Sequence, residues 1–248
     1  MPDTNPTPTP DSNTNSNPLP APNSNTDGPV PRKRADQDQY LADRANETRQ
    51  IVGVIMDDGA VRTKLAPKGF DTQRLTGAIA LCDTFDAKWN ARQNAMGVQT
   101  QKSKAFTDLF DAATKSLSDF REIVRGSEDP APTPELLVAC GITDDVPVDL
   151  QKFLTHAKSA YTTAKKAEYS AFMTKLGYTA QVLDDQIAAL ETLRKADEDH
   201  SKESGNAQKA TDERDKAFAP VNAFRNSVMK IARRVFRKEP EQLSKLDF

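Results

Sequence analysis

From about residue 36 onward, apolar residues recur every three or four positions, and no stretch keeps the two-residue alternation of a strand. Leu41, Ala45, Thr48, Val52 and Ile55 share one face of a helix predicted over 36–56. A second helix is marked by Leu75, Ile79, Cys82, Phe85 and Trp89, and a third by Phe106, Phe110, Ala113, Leu117, Phe120 and Val124. The series then repeats. Leu150, Phe153, Leu154, Ala157, Tyr161 and Ala164 open a helix over 148–176, Leu183, Ile187, Leu190 and Leu193 mark the next, and Phe218, Val221, Phe224, Val228, Ile231 and Val235 the last. The fold class is therefore all-α.

A shift of 108 positions superposes the two series. Gly69 then falls on Gly177, Gln73 on Gln181, Leu75 on Leu183, Ile79 on Ile187, Gly97 on Gly205, Phe110 on Phe218 and Arg125 on Arg233. In all, 10 of the 57 positions from 69 to 125 are identical without a gap, more than composition alone supplies. The local chemistry matches as well. Asp71 and Thr179 each offer a side-chain oxygen to cap a helix. Phe70 and Tyr178 precede them, and Leu75 and Leu183 follow four positions later, at the spacing of a hydrophobic staple. The expected architecture is an elongated antiparallel bundle of two related three-helix units, 32–126 and 148–248. A connector over 127–147 holds a short helix that begins at Thr133-Pro134 and ends at Gly141.

The apolar pattern vanishes between the second and third helices of each unit, and Gly97 and Gly205 sit near the centres of the polar stretches. The facing apolar residues are symmetric about these glycines, which favours turns at the tips of long hairpins. A continuous helix through each Gly is the alternative, at a cost of about 1 kcal/mol per Gly. Pro220 is expected to kink or restart the last helix.

Composition sets the first 31 residues apart. They hold nine of the 16 Pro, three Asp, no aromatic and no Lys or Arg. Such a segment buries too little to offset its ordering entropy, so 1–31 is expected to be a disordered tether. The basic run Arg32, Lys33 and Arg34 forms its solvated border. Lys+Arg number 34 against 36 Asp+Glu; without the tail the balance is 34 against 33, which argues against a wholly electrostatic coat on nucleic acid. No apolar run approaches the length of about 20 residues that spans a bilayer, and no secretory leader is evident. A cytoplasmic location is expected. The two cysteines, Cys82 and Cys140, stand far apart and suit buried apolar roles better than a disulfide or a zinc site.

The tandem helical hairpins with a short Leu-rich close resemble, over residues 36–248, bacterial all-helical bundle proteins to which no activity is assigned. The resemblance rests on pattern, has no diagnostic motif, and implies a fold and no chemistry.

The search for chemistry yields little. No phosphate-cradling glycine loop, nucleophile elbow or zincin motif occurs. Asp197-x-x-His200 has a di-iron spacing, but it occurs once, and such sites need it twice with further Glu. No cofactor and no small-molecule substrate are expected, and the chain is read as non-enzymatic. One segment stands out: Lys216, Arg225, Lys230, Arg233, Arg234, Arg237 and Lys238 carry seven positive charges with no acid between them. On an amphipathic helix they suit the negative helix end, or an anionic surface. Arg225, Lys230, Arg233, Arg234, Arg237 and Lys238 are thus the candidate anion-binding residues. The function expected is a helical scaffold or protein-interaction module with an unknown protein partner or self-association; the alternative is a binder of nucleic acid or membrane through this helix.

Overall fold

A computed structural model describes residues 34–247. Contacts divide the chain into two units, Met1–Tyr40 and Leu41–Phe248. Of the first, the described part is the opening of helix α1 (Arg34–Asp57). The tail expected to be disordered, 1–31, lies outside the described residues. The second unit continues α1 and adds α2 (Gly59–Leu65), a 3-10 turn (Ala66–Lys68), α3 (Thr72–Gly126), α4 (Pro134–Ala139), α5 (Leu150–Ala164), α6 (Ala167–Lys175), α7 (Ala180–Val235) and α8 (Pro240–Ser244). No strand occurs among the described residues, so the chain is all-α.

The entry devices read from sequence are present. Asp71 accepts from the Arg74 amide at 2.9 Å to start α3, and Thr179 accepts from the Val182 amide at 3.3 Å to start α7. Ahead of each cap the chain turns on a left-handed glycine, Gly69 at φ 87° and Gly177 at φ 85°. The next residue's amide closes back to the preceding helix, Phe70 to the Leu65 carbonyl and Tyr178 to the Met173 carbonyl. Phe70 then packs edge-on against Phe224, and Tyr178 edge-on against Phe120. Thr133 caps α4 with Pro134 at its first position, and Gly141 ends that region, also as read.

Three expectations are corrected and one element is added. Gly97 and Gly205 are not turns: α3 runs 55 residues and α7 56 residues straight through them. The two helices pair antiparallel, with contacts Phe85–Phe218, Lys88–Glu213, Gln99–Ser204, Lys102–Asp199 and Ser116–Gln186 stepping in opposite directions along α3 and α7. This register sets Gly97 level with Gly205. A two-helix seam needs only small residues and ion pairs there, so the missing apolar pattern marks thin packing instead of a loop. Of the kink or restart expected at Pro220, the restart does not occur: α7 continues through it, and Pro220 lies exposed. The helix expected over 148–176 is two, α5 and α6, because Lys166 adopts extended backbone at φ −59°, ψ 145°. Finally, α2 went unread; Asp58 starts it by accepting from the Ala60 and Val61 amides.

The apolar side chains gather in two cores at opposite ends of the α3–α7 pair. One joins Ile51 and Ile55 of α1, Leu65 of α2, Leu75 at the start of α3, and Val228 and Ala232 near the end of α7, with Leu246 after α8. The other joins Phe120 and Val124 near the end of α3, Ile142, Phe153 and Tyr161 of α5, and Leu183 near the start of α7. Each core therefore draws on both halves of the chain. Between them, Arg214 stacks over Trp89 at 5.6 Å and His200 lies parallel to Phe106 at 5.6 Å.

The glycines make opposite predictions. A Cβ at Gly97 or Gly205 would meet nothing within 4 Å, so Gly97→Ala and Gly205→Ala should each stabilise by about 0.5–1 kcal/mol. Gly69→Ala and Gly177→Ala force a side chain into left-handed backbone and should each cost about 1–2 kcal/mol. Urea unfolding of the four variants checks both signs.

Candidate functional site

The candidate anion-binding residues separate by role. Arg225, on the inward side of α7, is mostly buried and holds its Nε 2.7 Å from Glu47 Oε2 of α1. It fastens α1 to α7 and is not available to a ligand. Lys230, Arg233 and Arg234 lie exposed on the last two turns of α7, and Arg237 and Lys238 follow, also exposed. Among the described residues none of these five makes an ion pair. The nearest acid in sequence, Glu239, is taken by Lys64 of α2. Lys68, from the 3-10 turn, joins them: with Ile231, Arg234 and Val235 it lines a hollow of about 510 Å³. Sequence gave no hint of Lys68, since 166 positions separate it from Arg234 and only the packing of both against the same core brings them together.

The opposite end carries a second charged feature that the sequence did not single out as a site. Arg121 and Arg125, one turn apart on α3, reach across to the segment after α4. Arg121 Nη2 donates to the Ile142 carbonyl at 3.0 Å and to the Asp144 carbonyl, and Arg125 Nη2 donates to the Ile142 carbonyl at 2.5 Å. With Glu122, Asp144 and Asp145 they line a hollow of about 670 Å³. Arg121 is buried, and its Nε has no partner among the described residues. Burial lowers its pKa, with Arg125 adding to the effect and Asp144 and Asp145 opposing it.

His156 on α5 sits beside this cluster. Its ring presses on the left-handed Gly141, where an added Cβ would come within 2.7 Å of the imidazole. Burial, reinforced by the Arg121 charge, holds the imidazole below its ordinary value of 6.5, with Asp144 opposing. Arg121 and Arg125 together act as a clasp: they pin the chain between α4 and α5 onto α3 by donating to its Ile142 and Asp144 carbonyls, while the His156 ring packs against Gly141 beside them.

The other groups weighed for chemistry are dispersed. His200 stacks on Phe106. Cys82 and Cys140 are buried, and burial raises both thiols, Cys140 to about 11. Among the described residues, no three His, Cys, Asp or Glu side chains gather to hold a metal ion, and no helix is long and apolar enough to cross a membrane.

Comparison with protein-family models, curated proteins and solved structures finds no match to this chain in any of the three.

The clasp and the basic end should respond differently to neutralisation. Arg121→Met removes the donor to the Asp144 carbonyl and one of the two donors to the Ile142 carbonyl, and should cost about 2–3 kcal/mol. Arg233→Met removes an exposed charge and should stay within about 0.5 kcal/mol of the parent. Urea unfolding at neutral pH measures both.

The His156 imidazole adds a pH signature. Because its folded pKa lies below 6.5, the unfolded chain takes up this proton first as pH falls. Its contribution is complete above 6.5 and shrinks as pH drops below that value toward the folded pKa. Stability should fall over that window, and His156→Gln should flatten the fall. Carboxylates held down by lysines, such as Asp199 by Lys102 and Glu213 by Lys88, act at lower pH.

Proposed function

We propose that the chain is a non-enzymatic helical scaffold, built from two related units whose long helices act as a stiff spacer between two end modules. The observation that carries this reading is the uninterrupted pairing of α3 and α7 through Gly97 and Gly205. At about 1.5 Å per residue, each helix extends roughly 80 Å, far beyond what either core requires. The cores sit at its two ends, and the middle is held by exposed pairs such as Lys88–Glu213 and Lys102–Asp199. These contribute little stability individually but keep the register of the seam.

The relation between the two units is supported by correspondences in space as well as in sequence. α3 and α7 begin 108 positions apart and differ by one residue in length. Both follow a left-handed glycine, an aromatic and a capping oxygen. Each long helix is followed by a short one opening on a proline, Pro134 or Pro240. An antiparallel pair of related helices presents the same elements at both ends. Such an arrangement suits a part that joins two partners, or two copies of one partner, at a set separation.

A spacer must hold its ends at a fixed distance. Spin labels at Thr84→Cys and Lys115→Cys, both exposed on α3, with Cys82 and Cys140 replaced by Ala, should give one narrow distance near 46 Å, the helical rise over those residues. A broad distribution reaching well below that would mean a hinge at Gly97, and the spacer reading would fail.

A further inference from the structure

The basic end of α7 carries more charge than the fold uses. From Lys216 to Lys238 the exposed positions, among them Lys216, Lys230, Arg233, Arg234, Arg237 and Lys238, include no acid. The negative end of a helix amounts to about half a charge. Arg233 and Arg234, in the last turn, more than balance it. Lys230, Arg237, Lys238 and Lys68 remain, without an ion pair among the described residues. Arg225, the one cation of the segment with a structural task, points to Glu47 instead.

The opposite end provides an internal comparison. The positions 108 residues before Lys230, Arg233, Arg234 and Arg237 are Glu122, Arg125, Gly126 and Asp129, all exposed. Two are acids, and the single Arg there is bonded to the Ile142 carbonyl. Closing a helix end in this fold therefore does not demand a basic face.

We propose that the exposed face formed by Lys230, Arg233, Arg234, Arg237 and Lys238 of the α7 end, with Lys68 beside it, docks the phosphate backbone of double-stranded nucleic acid. The proposal rests on the scaffold reading and names the partner of one end. Charge complementarity selects a polyanion: six exposed cations without an ion pair among the described residues stand together at this end, and duplex phosphates supply a charge about every 1.7 Å of axis. Three of the six cations are Arg, whose planar fork matches phosphate oxygens. A lipid surface fits less well. The exposed large apolar residues, Met56, Val98, Ile123, Val138 and Val148, all lie outside this face, and interfacial binding grows with the apolar area inserted. Single strands need exposed aromatics to stack on, whereas Phe236 is buried. Contacts to backbone alone carry no base sequence.

The test is fluorescence anisotropy of the full chain with a labelled duplex DNA of about 20 base pairs, as salt rises from about 50 to about 200 mM. Binding at the lower salt that weakens about a hundredfold across this range corresponds to roughly four phosphates neutralised. The variant Lys230→Gln/Arg233→Gln/Arg234→Gln/Arg237→Gln should bind at least about tenfold more weakly at low salt, as expected if those contacts are lost. Lys115→Gln/Lys152→Gln/Lys175→Gln, exposed elsewhere, should bind as the parent does. Should the quadruple variant lose its helical circular dichroism, Lys68→Gln/Lys238→Gln replaces it and must still weaken binding severalfold. No binding at low salt, equal binding by the α7 variant, or capture by phosphatidylserine vesicles in preference to duplex overturns the proposal. None of these outcomes alters the spin-label distance along α3, so the spacer reading stands or falls separately.

Discussion

Everything in the Leu41–Phe248 unit depends on the antiparallel seam between α3 and α7. Neither core is complete on one side of it: Leu75 meets Val228 and Ala232 from the far end of the other helix, and Phe120 and Val124 meet Leu183 in the same way. The seam itself is modest. It offers Phe85 against Phe218, a stacked Phe106 and His200, a few lysine–carboxylate pairs, and small residues around the two glycines. Its strength comes from length and cooperativity, because once both ends are nucleated by apolar packing, the intervening turns each add a backbone hydrogen bond at little cost.

Where local chemistry decides structure, the sequence was legible. Asp71, Thr179 and Thr133 cap the helices they were read to cap, and Gly141 ends the α4 region as read, whereas the left-handed turns at Gly69 and Gly177 were seen only as matching glycines. The apolar spacing also identified the buried face of each long helix. It failed in the middle of α3 and α7, where a polar stretch centred on glycine has the composition of a loop. A single chain cannot reveal there that a second polar stretch lies opposite. Burial of Arg92 and Arg214 in those stretches was equally hidden, since their pattern reads as solvent-facing. The α5–α6 break has no Gly or Pro to announce it.

The candidate sites show the same division. The run of cations on α7 was visible as composition, but its sorting was not. Arg225 turned inward to Glu47, while Lys68 came from a distant turn to stand beside Arg234. At the other end, Arg125 was seen as the repeat partner of Arg233, and Arg121 was not singled out as a site. They are instead a clasp on the carbonyls of Ile142 and Asp144. Two ends with corresponding frames thus differ in how their charge is spent: one turns its arginines inward to hold the chain, the other leaves them facing solvent. In the spacer proposed above, that asymmetry gives the two ends different things to contact.

Amide hydrogen exchange across residues 95–101 and 203–209 tests the seam most directly. If α3 and α7 are continuous and paired, these amides exchange slowly, in step with the flanking turns, because opening them requires parting the two helices. Exchange at the rate of an unstructured peptide, confined to the segments around Gly97 and Gly205, would mean that each long helix is two, and the account of one seam joining two cores would be wrong.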